Sequence, residues 1–258
     1  MLTRRWATWV SIAAAIWLGA AAPSPAVTPV DPSGCRRLAH DGASYTICRF
    51  SLRSHELKLF LNDPDGQPYG SLPNLLRSPA GAGLAMAMNA GMYHHDLTPV
   101  GLYVEGGREL KRVNMAGGPG NFHMKPNGVF FVAEGRAGIL ETGAYLKRRI
   151  RPILATQSGP MLVIGGKLHP GFSDEGPSRK YRNGVGIAES GAVVFAISDE
   201  PVSFGAFARL FRDGLGCRDA LFLDGSISAL YAPDLGRTDI SLKPLGPLIA
   251  AMPRRPGS

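Results

Sequence analysis

The sequence predicts an α+β domain in which a mixed, mainly antiparallel β-sheet dominates and a few helices pack against it. Three observations lead there. Glycine supplies 33 of the 258 residues and often falls, singly or in pairs, at the ends of apolar runs, as tight turns between strands require. Those runs are short and rich in Val, Ile and Phe, which suits strands better than helices. Only one segment shows clear helical spacing, with Phe204, Phe207, Ala208 and Phe211 recurring behind Ser203.

The elements follow in order. Arg4 and Arg5 precede an apolar stretch from Trp6 to about Ala22, then small residues to Ala26. This is the pattern of a secretory signal cleaved after Ser24-Pro-Ala26, and the competing reading is an uncleaved anchor. Residues 1–26 are therefore assigned to the signal, 27–42 to a linker, 43–250 to one domain and 251–258 to a tail. Within the domain, 43–50 and 57–61 read as strands around a polar corner, and 72–77 as a short helix. Gly101–Glu105 runs into a Gly106-Gly107 turn, and 128–132 pairs with 138–142. Met161–Ile164 turns at Gly165-Gly166, and 185–188 turns at Ser190-Gly191 into 192–197. The helix capped by Ser203 stops near Gly214-Leu-Gly216, glycine being a common terminator. A last buried strand runs through Leu221-Phe222-Leu223 to Asp224.

Charge and cysteines narrow the classes. The formal charge is +8, and the two arginines of the signal account for two of these. The clusters Lys147–Arg151 and Arg179–Arg182 suit acidic or phosphate-bearing polymers, or are simply solvated faces. No helix-turn-helix, zinc finger or aromatic RNA platform accompanies them, so nucleic acid is excluded as a partner. Three cysteines in an exported chain leave one unpaired. Cys35 and Cys48 flank a strand pair or turn and are placed to close a short loop, while Cys217 reads as a small buried hydrophobe. No Cys/His spacing matches a zinc site. His94-His95-Asp96 is the nearest approach to a metal-binding set, but adjacent histidines rarely face one ion, so no metal and no cofactor are expected.

Several strand edges share one grammar, a polar group and a glycine beside an apolar run. They are Asn89-Ala-Gly91 with Tyr93, Gln157-Ser158-Gly159, Arg182-Asn183-Gly184, and Asp224-Gly225 with Ser226 and Ser228. Taken alone, Asp224 reads as easily as an Asx turn. Together the edges suggest strands converging on one polar pocket, with Asp224 held on rigid backbone.

These segments resemble the phosphodiester glycosidases. The resemblance runs from about Ala43 to Pro247. It is carried by Asn89-Ala-Gly-Met-Tyr93, Pro99-Val-Gly-Leu102, Gly120-Asn-Phe122, Pro126-Asn-Gly-Val129, Gln157-Ser-Gly-Pro160, Arg182-Asn-Gly-Val-Gly186 and Leu223-Asp-Gly-Ser-Ile-Ser228. Ile227 stands where the animal enzymes have glycine, and Ser198 where an aspartate is common, with Asp199 one residue later. The resemblance implies a hydrolase that cleaves a sugar anomeric carbon from a phosphodiester; with the signal pattern this gives a periplasmic or secreted enzyme acting on an envelope or exopolysaccharide glycan. It implies Asp224 as the catalytic carboxylate, as base or nucleophile, and Arg182 on the phosphate. Asn89, Gly91, Tyr93, His123, Gln157, Ser158, Asn183, Gly225 and Ser228 would bind substrate. The second carboxylate would come from Asp174-Glu175 or Asp199-Glu200, and Lys125 is a further candidate cation. Two other classes remain open, a non-catalytic envelope module that binds phosphorylated glycans and a metal-dependent phosphodiesterase that cuts the P–O bond. No stable membrane insertion is expected once the signal is removed.

Overall fold

The structure, a computed structural model, describes residues 33–173, 176–224 and 227–254. The signal, the start of the linker, Asp174-Glu175, Gly225, Ser226 and residues 255–258 lie outside the described residues.

The fold begins earlier than the sequence suggested. Strand β1 (Gly34–His40) pairs along its whole length with β2 (Ala43–Phe50), so the second half of the segment read as a linker is a strand. Its alternation escapes notice because this edge strand carries Arg36 and Arg37. Asp41 and Gly42 join the two strands with φ of 48° and 73°, the pair of positive values a type I′ hairpin needs. Cys35 stands opposite Cys48, and the sulfurs are bonded at 2.07 Å. A crosslink closing so short a loop contributes about 2–3 kcal/mol by restricting the unfolded chain. Replacing both with serine is expected to lower Tm by roughly 5–10 °C in a non-reducing melt. An unchanged Tm would mean that the ladder alone holds this edge.

The chain continues through β3 (His55–Phe60), α1 (Leu72–Arg77), β4 (Met86–Asn89), β5 (Tyr103–Glu105) and β6 (Arg108–Lys111). Next come β7 (Gly128–Ala133), β8 (Arg136–Glu141), α2 (Thr142–Arg148), β9 (Leu154–Ser158), β10 (Met161–Ile164) and β11 (Lys167–Leu168). The last part holds β12 (Asn183–Ala188), β13 (Val193–Ser198), α3 (Phe204–Arg209), β14 (Cys217–Phe222), β15 (Leu230–Ala232), β16 (Arg237–Thr238) and β17 (Leu248–Pro253). Strand β17 takes in the first residues of the expected tail.

Gly106-Gly107 and Gly165-Gly166 each supply two positive φ values and close the β5–β6 and β10–β11 hairpins. The Ser203 hydroxyl accepts a hydrogen bond from the Ala206 N–H at 3.1 Å and starts α3, whose end widens into a π turn over Leu210–Gly214.

Among the described residues the strands form three sheets, and every ladder is antiparallel. Their orders are β1-β2-β13-β12-β14-β10-β11, β16-β15-β4-β17-β3 and β6-β5-β9-β7-β8. One apolar cluster draws on all three, with Met86 and Met88 from β4, Phe130 from β7, Val185 from β12 and Leu221 from β14. On the far side of the seven-stranded sheet, Phe207, Ala208 and Phe211 pack against Ile47, Val194 and Phe222. Burial on both faces explains why these strands read as continuous apolar runs.

Candidate active site

The three sheets meet at one buried point, where two asparagines and a serine join them. Asn89 ends β4, Asn183 opens β12, Ser158 ends β9, and Leu223-Asp224 follow β14. Main-chain groups at strand ends have lost their ladder partners, so buried ones need side chains that donate and accept. The Asn183 amide donates to the main-chain oxygen and to Oδ1 of Asn89, at 2.9 and 3.0 Å. Its own Oδ1 accepts from the Asp224 N–H at 2.8 Å. Asn89 Oδ1 also accepts from the Ala229 N–H at 3.0 Å, and its amide donates to the Ile227 carbonyl at 2.6 Å. The Ser158 hydroxyl donates to the Leu223 carbonyl at 2.7 Å.

Asp224 stands on this network, 8% exposed, and opens into a cavity of about 600 Å³. Tyr93, His94, His95, Asn121, His123 and Lys243 form its polar lining. Met92, Leu97, Val100, Phe122, Ile227 and Pro244 contribute apolar wall. Among the described lining residues Asp224 is the only carboxylate, facing histidines and a lysine.

The walls are themselves held. The Tyr93 hydroxyl donates to the Pro244 carbonyl at 2.9 Å, and a side chain at Gly246 would run into the Tyr93 ring. This fixes the loop that carries Lys243. Burial first, then the charge of Asp224, raises the Tyr93 phenol to about 12, so it stays protonated. His123 Nδ1 lies 3.0 Å from the Ala116 carbonyl. A carbonyl can only accept, so Nδ1 carries a proton and Nε2 is the ring's second polar atom.

The remaining candidates fall elsewhere. Gln157 is buried, and its Oε1 accepts from the Leu102 and Asn114 N–H groups at 3.0 and 2.8 Å. Its amide donates to the Asn114 carbonyl at 2.7 Å, so it braces main chain outside the Asp224 cavity. Gly91 lets β4 pass close to β9, since a Cβ there would lie 2.8 Å from the Gln157 carbonyl oxygen. The Ser228 hydroxyl donates to the Asp224 carbonyl at 3.3 Å but lines a different cleft with Tyr181 and Asp239. Asp199 accepts from Thr46 and pairs with Arg237, which also binds Asp239. Lys125 donates to the Met115 carbonyl at 2.9 Å. Asp96 accepts from the Thr98 hydroxyl and N–H within its own turn, which lowers its pKa. Gly225 and Asp174-Glu175 lie outside the described residues.

Arg182 is the largest departure from the sequence reading. Neighbouring strand residues point to opposite faces, so while Asn183 faces Asn89, Arg182 turns toward α3. Its guanidinium lies 3.6 Å over the Phe204 ring and donates to the Val202 and Ser178 carbonyls at 2.9 and 2.8 Å. Burial lowers its pKa to about 10, which still leaves it charged at neutral pH. It does not line the Asp224 cavity. Because a flat, forked donor stacks where an ammonium cannot, Arg182→Lys is expected to cost about 1–3 kcal/mol, read in a urea melt. Unchanged stability would contradict this bracing role.

Sequence reasoning missed Lys243 and Asn121. Asn121 sits inside the quoted Gly120-Asn-Phe122 motif, which could have flagged it. Lys243 follows half-buried Ser241 and exposed Leu242 with no local signal, and reaches the cavity only through the folding of its loop.

Residues 82–244 match the family model described as phosphodiester glycosidase. The chain is 37% identical over 189 residues to the uncharacterized protein YigE of Escherichia coli (strain K12), covering 73% of each. Its fold is similar to the catalytic domain of zebrafish N-acetylglucosamine-1-phosphodiester alpha-N-acetylglucosaminidase, with a TM-score of 0.59, 14% identity, and 88% of this chain and 86% of that one covered. It is also similar to a hypothetical protein from Synechocystis, with a TM-score of 0.58, 15% identity, and 85% of this chain and 61% of that one covered. With a family model spanning more than half of its length, this chain belongs to the phosphodiester glycosidase family.

Proposed function

We propose that the protein is an exported hydrolase that separates a sugar from a phosphodiester in an envelope or exopolysaccharide glycan, with Asp224 as its catalytic carboxylate. The observation that carries this reading is a rigidly mounted carboxylate, Asp224, in a cavity whose other described polar lining residues are neutral or basic. In the proposed reaction the bond between the anomeric carbon and the phosphate oxygen breaks, and its electrons leave with the phosphate monoester. Water supplies the oxygen that replaces it. A phosphate monoester is already a stable anion, so its departure depends less on an acid than that of a simple alcohol. The need shifts to holding charge. The Asp224 carboxylate stabilises the oxocarbenium-like carbon and either takes the proton from water or attacks first. Lys243 and His123 are placed to meet the phosphate, the role first assigned to Arg182.

The test is incubation of the purified chain, lacking residues 1–26, with an N-acetylglucosamine-1-phospho-alkyl diester and a panel of other sugar diesters. Free sugar with an alkyl phosphate supports the proposal, and sugar phosphate or no turnover of any diester contradicts it. The export step predicts a secreted protein beginning at Val27, checked by N-terminal sequencing. Retention of residues 1–26 would overturn cleavage.

A further inference from the structure

A second groove adjoins the Asp224 cavity and shares part of its wall. His94 and Val100, which line the cavity, also line an open channel of about 550 Å³ whose other walls are Leu110, Lys111, Arg112, Val113, Asn114 and Met115. Strand β6 ends at Lys111 and is the outermost strand of its sheet, so this wall faces solvent. Leu110 and Met115 are 42% and 49% exposed, so the groove presents some apolar surface.

The wall is built from within. Buried Gln157 clamps Asn114 through the main-chain N–H at 2.8 Å and the carbonyl at 2.7 Å. The Asn114 amide donates to the Val100 carbonyl at 3.0 Å, and its Oδ1 accepts from the Ala116 N–H at 2.9 Å. Ala116 in turn holds His123 of the cavity. One hydrogen-bonded chain thus connects the groove wall to the reacting site and gives Gln157 a positioning role. Among the described residues of the groove there is no carboxylate, while exposed Lys111 and Arg112 both line it. Two cations beside exposed apolar carbons suit a sugar face followed by an oxyanion, and a guanidinium binds phosphate through two parallel donors.

We infer that this groove is a second subsite for the part of the substrate beyond the cleaved phosphate. The substrate is an extended glycan carrying a further phosphate, which Lys111 and Arg112 engage. This rests on the reading of the Asp224 cavity given above.

The experiment compares kcat/KM at low salt for three diesters of one sugar. One is a methyl phosphodiester, one an oligomer with two phosphodiester links, and one an alkyl diester matching the oligomer in length. They are measured with the wild type and with a Lys111→Ala/Arg112→Ala double variant whose melt matches the wild type. The wild type is expected to prefer the oligomer over the methyl diester by about 10- to 100-fold, the effect of one or two charge-assisted contacts. In the double variant, and at high salt, that preference should fall to near unity. A wild-type preference near one overturns the inference, as does a preference unchanged in the variant. An equal advantage for the alkyl diester would assign the groove to lipid and overturn it too. Hydrolysis of none of the three is a separate outcome, overturning the cavity reading and this inference with it.

Discussion

Asp224→Asn is expected to lower kcat by about four orders of magnitude or more, the scale seen when a reacting group is removed from a preorganised site. The fold should survive. Asp224 is fixed through its main chain, by its N–H to Asn183 Oδ1 at 2.8 Å and by the Asn183 N–H to its carbonyl at 3.2 Å. Asparagine keeps both bonds and nearly the same volume but carries no negative charge. A neutral amide can neither take a proton from water nor attack the anomeric carbon. It also gives no field to stabilise the positive charge that develops there. Single-turnover kinetics with a thermal melt of the same sample would check the expectation. A variant that keeps a tenth of wild-type kcat would remove Asp224 from the chemistry.

Asn183→Ala is expected to damage stability and catalysis together. The side chain is fully buried and makes three described hydrogen bonds, two to Asn89 and one from the Asp224 N–H. Its removal takes the described side-chain partner from the buried Asp224 N–H and from the Asn89 main-chain oxygen, while Asn89 Oδ1 keeps the Ala229 N–H. Each buried group so stranded costs about 1–3 kcal/mol, with partial relief where water enters. A total of roughly 2–4 kcal/mol is anticipated, read as a lower urea midpoint at unchanged m. Activity should fall further than unfolding explains, because a carboxylate displaced by even ~1 Å can lose about a hundredfold in rate. A variant that is destabilised but fully active at low temperature would mean that the network serves the sheets alone.

Local chemistry was the legible part of this sequence. Gly106-Gly107 and Gly165-Gly166 announce hairpins because type I′ turns need two positive φ values, a requirement that involves no distant contact. Ser203 and the phenylalanines behind it announce α3 for the same reason. Asp224 alone read as easily as an Asx turn, and it became a candidate only beside the other polar strand edges.

The assembly of the strands was not legible. The α+β class with mainly antiparallel pairing stands, but the described strands divide into three sheets, since nothing in the Met86–Asn89 run says that it pairs with Leu248–Ala251 near the other end of the chain. The polar strand edges marked a true convergence, yet most of those side chains hold it together rather than face the cavity. Gln157, Ser158 and Asn89 are satisfied by main-chain groups, and Arg182 lies on the opposite face of its sheet. Sequence shows that a polar group ends a strand, but which main-chain groups need it depends on neighbours brought there by the whole fold. Lys243 shows the reverse, an exposed lysine placed in the cavity by a loop that Tyr93 holds through Pro244.

The most direct test of the account follows the oxygen. Wild-type protein would hydrolyse its best sugar phosphodiester in water enriched in oxygen-18, and the phosphate monoester would be weighed by mass spectrometry. Cleavage at the anomeric carbon predicts a phosphate monoester with no heavy oxygen, formed by the wild type and absent with Asp224→Asn. Heavy oxygen in the phosphate would place the break at phosphorus and contradict a glycosidase built on Asp224.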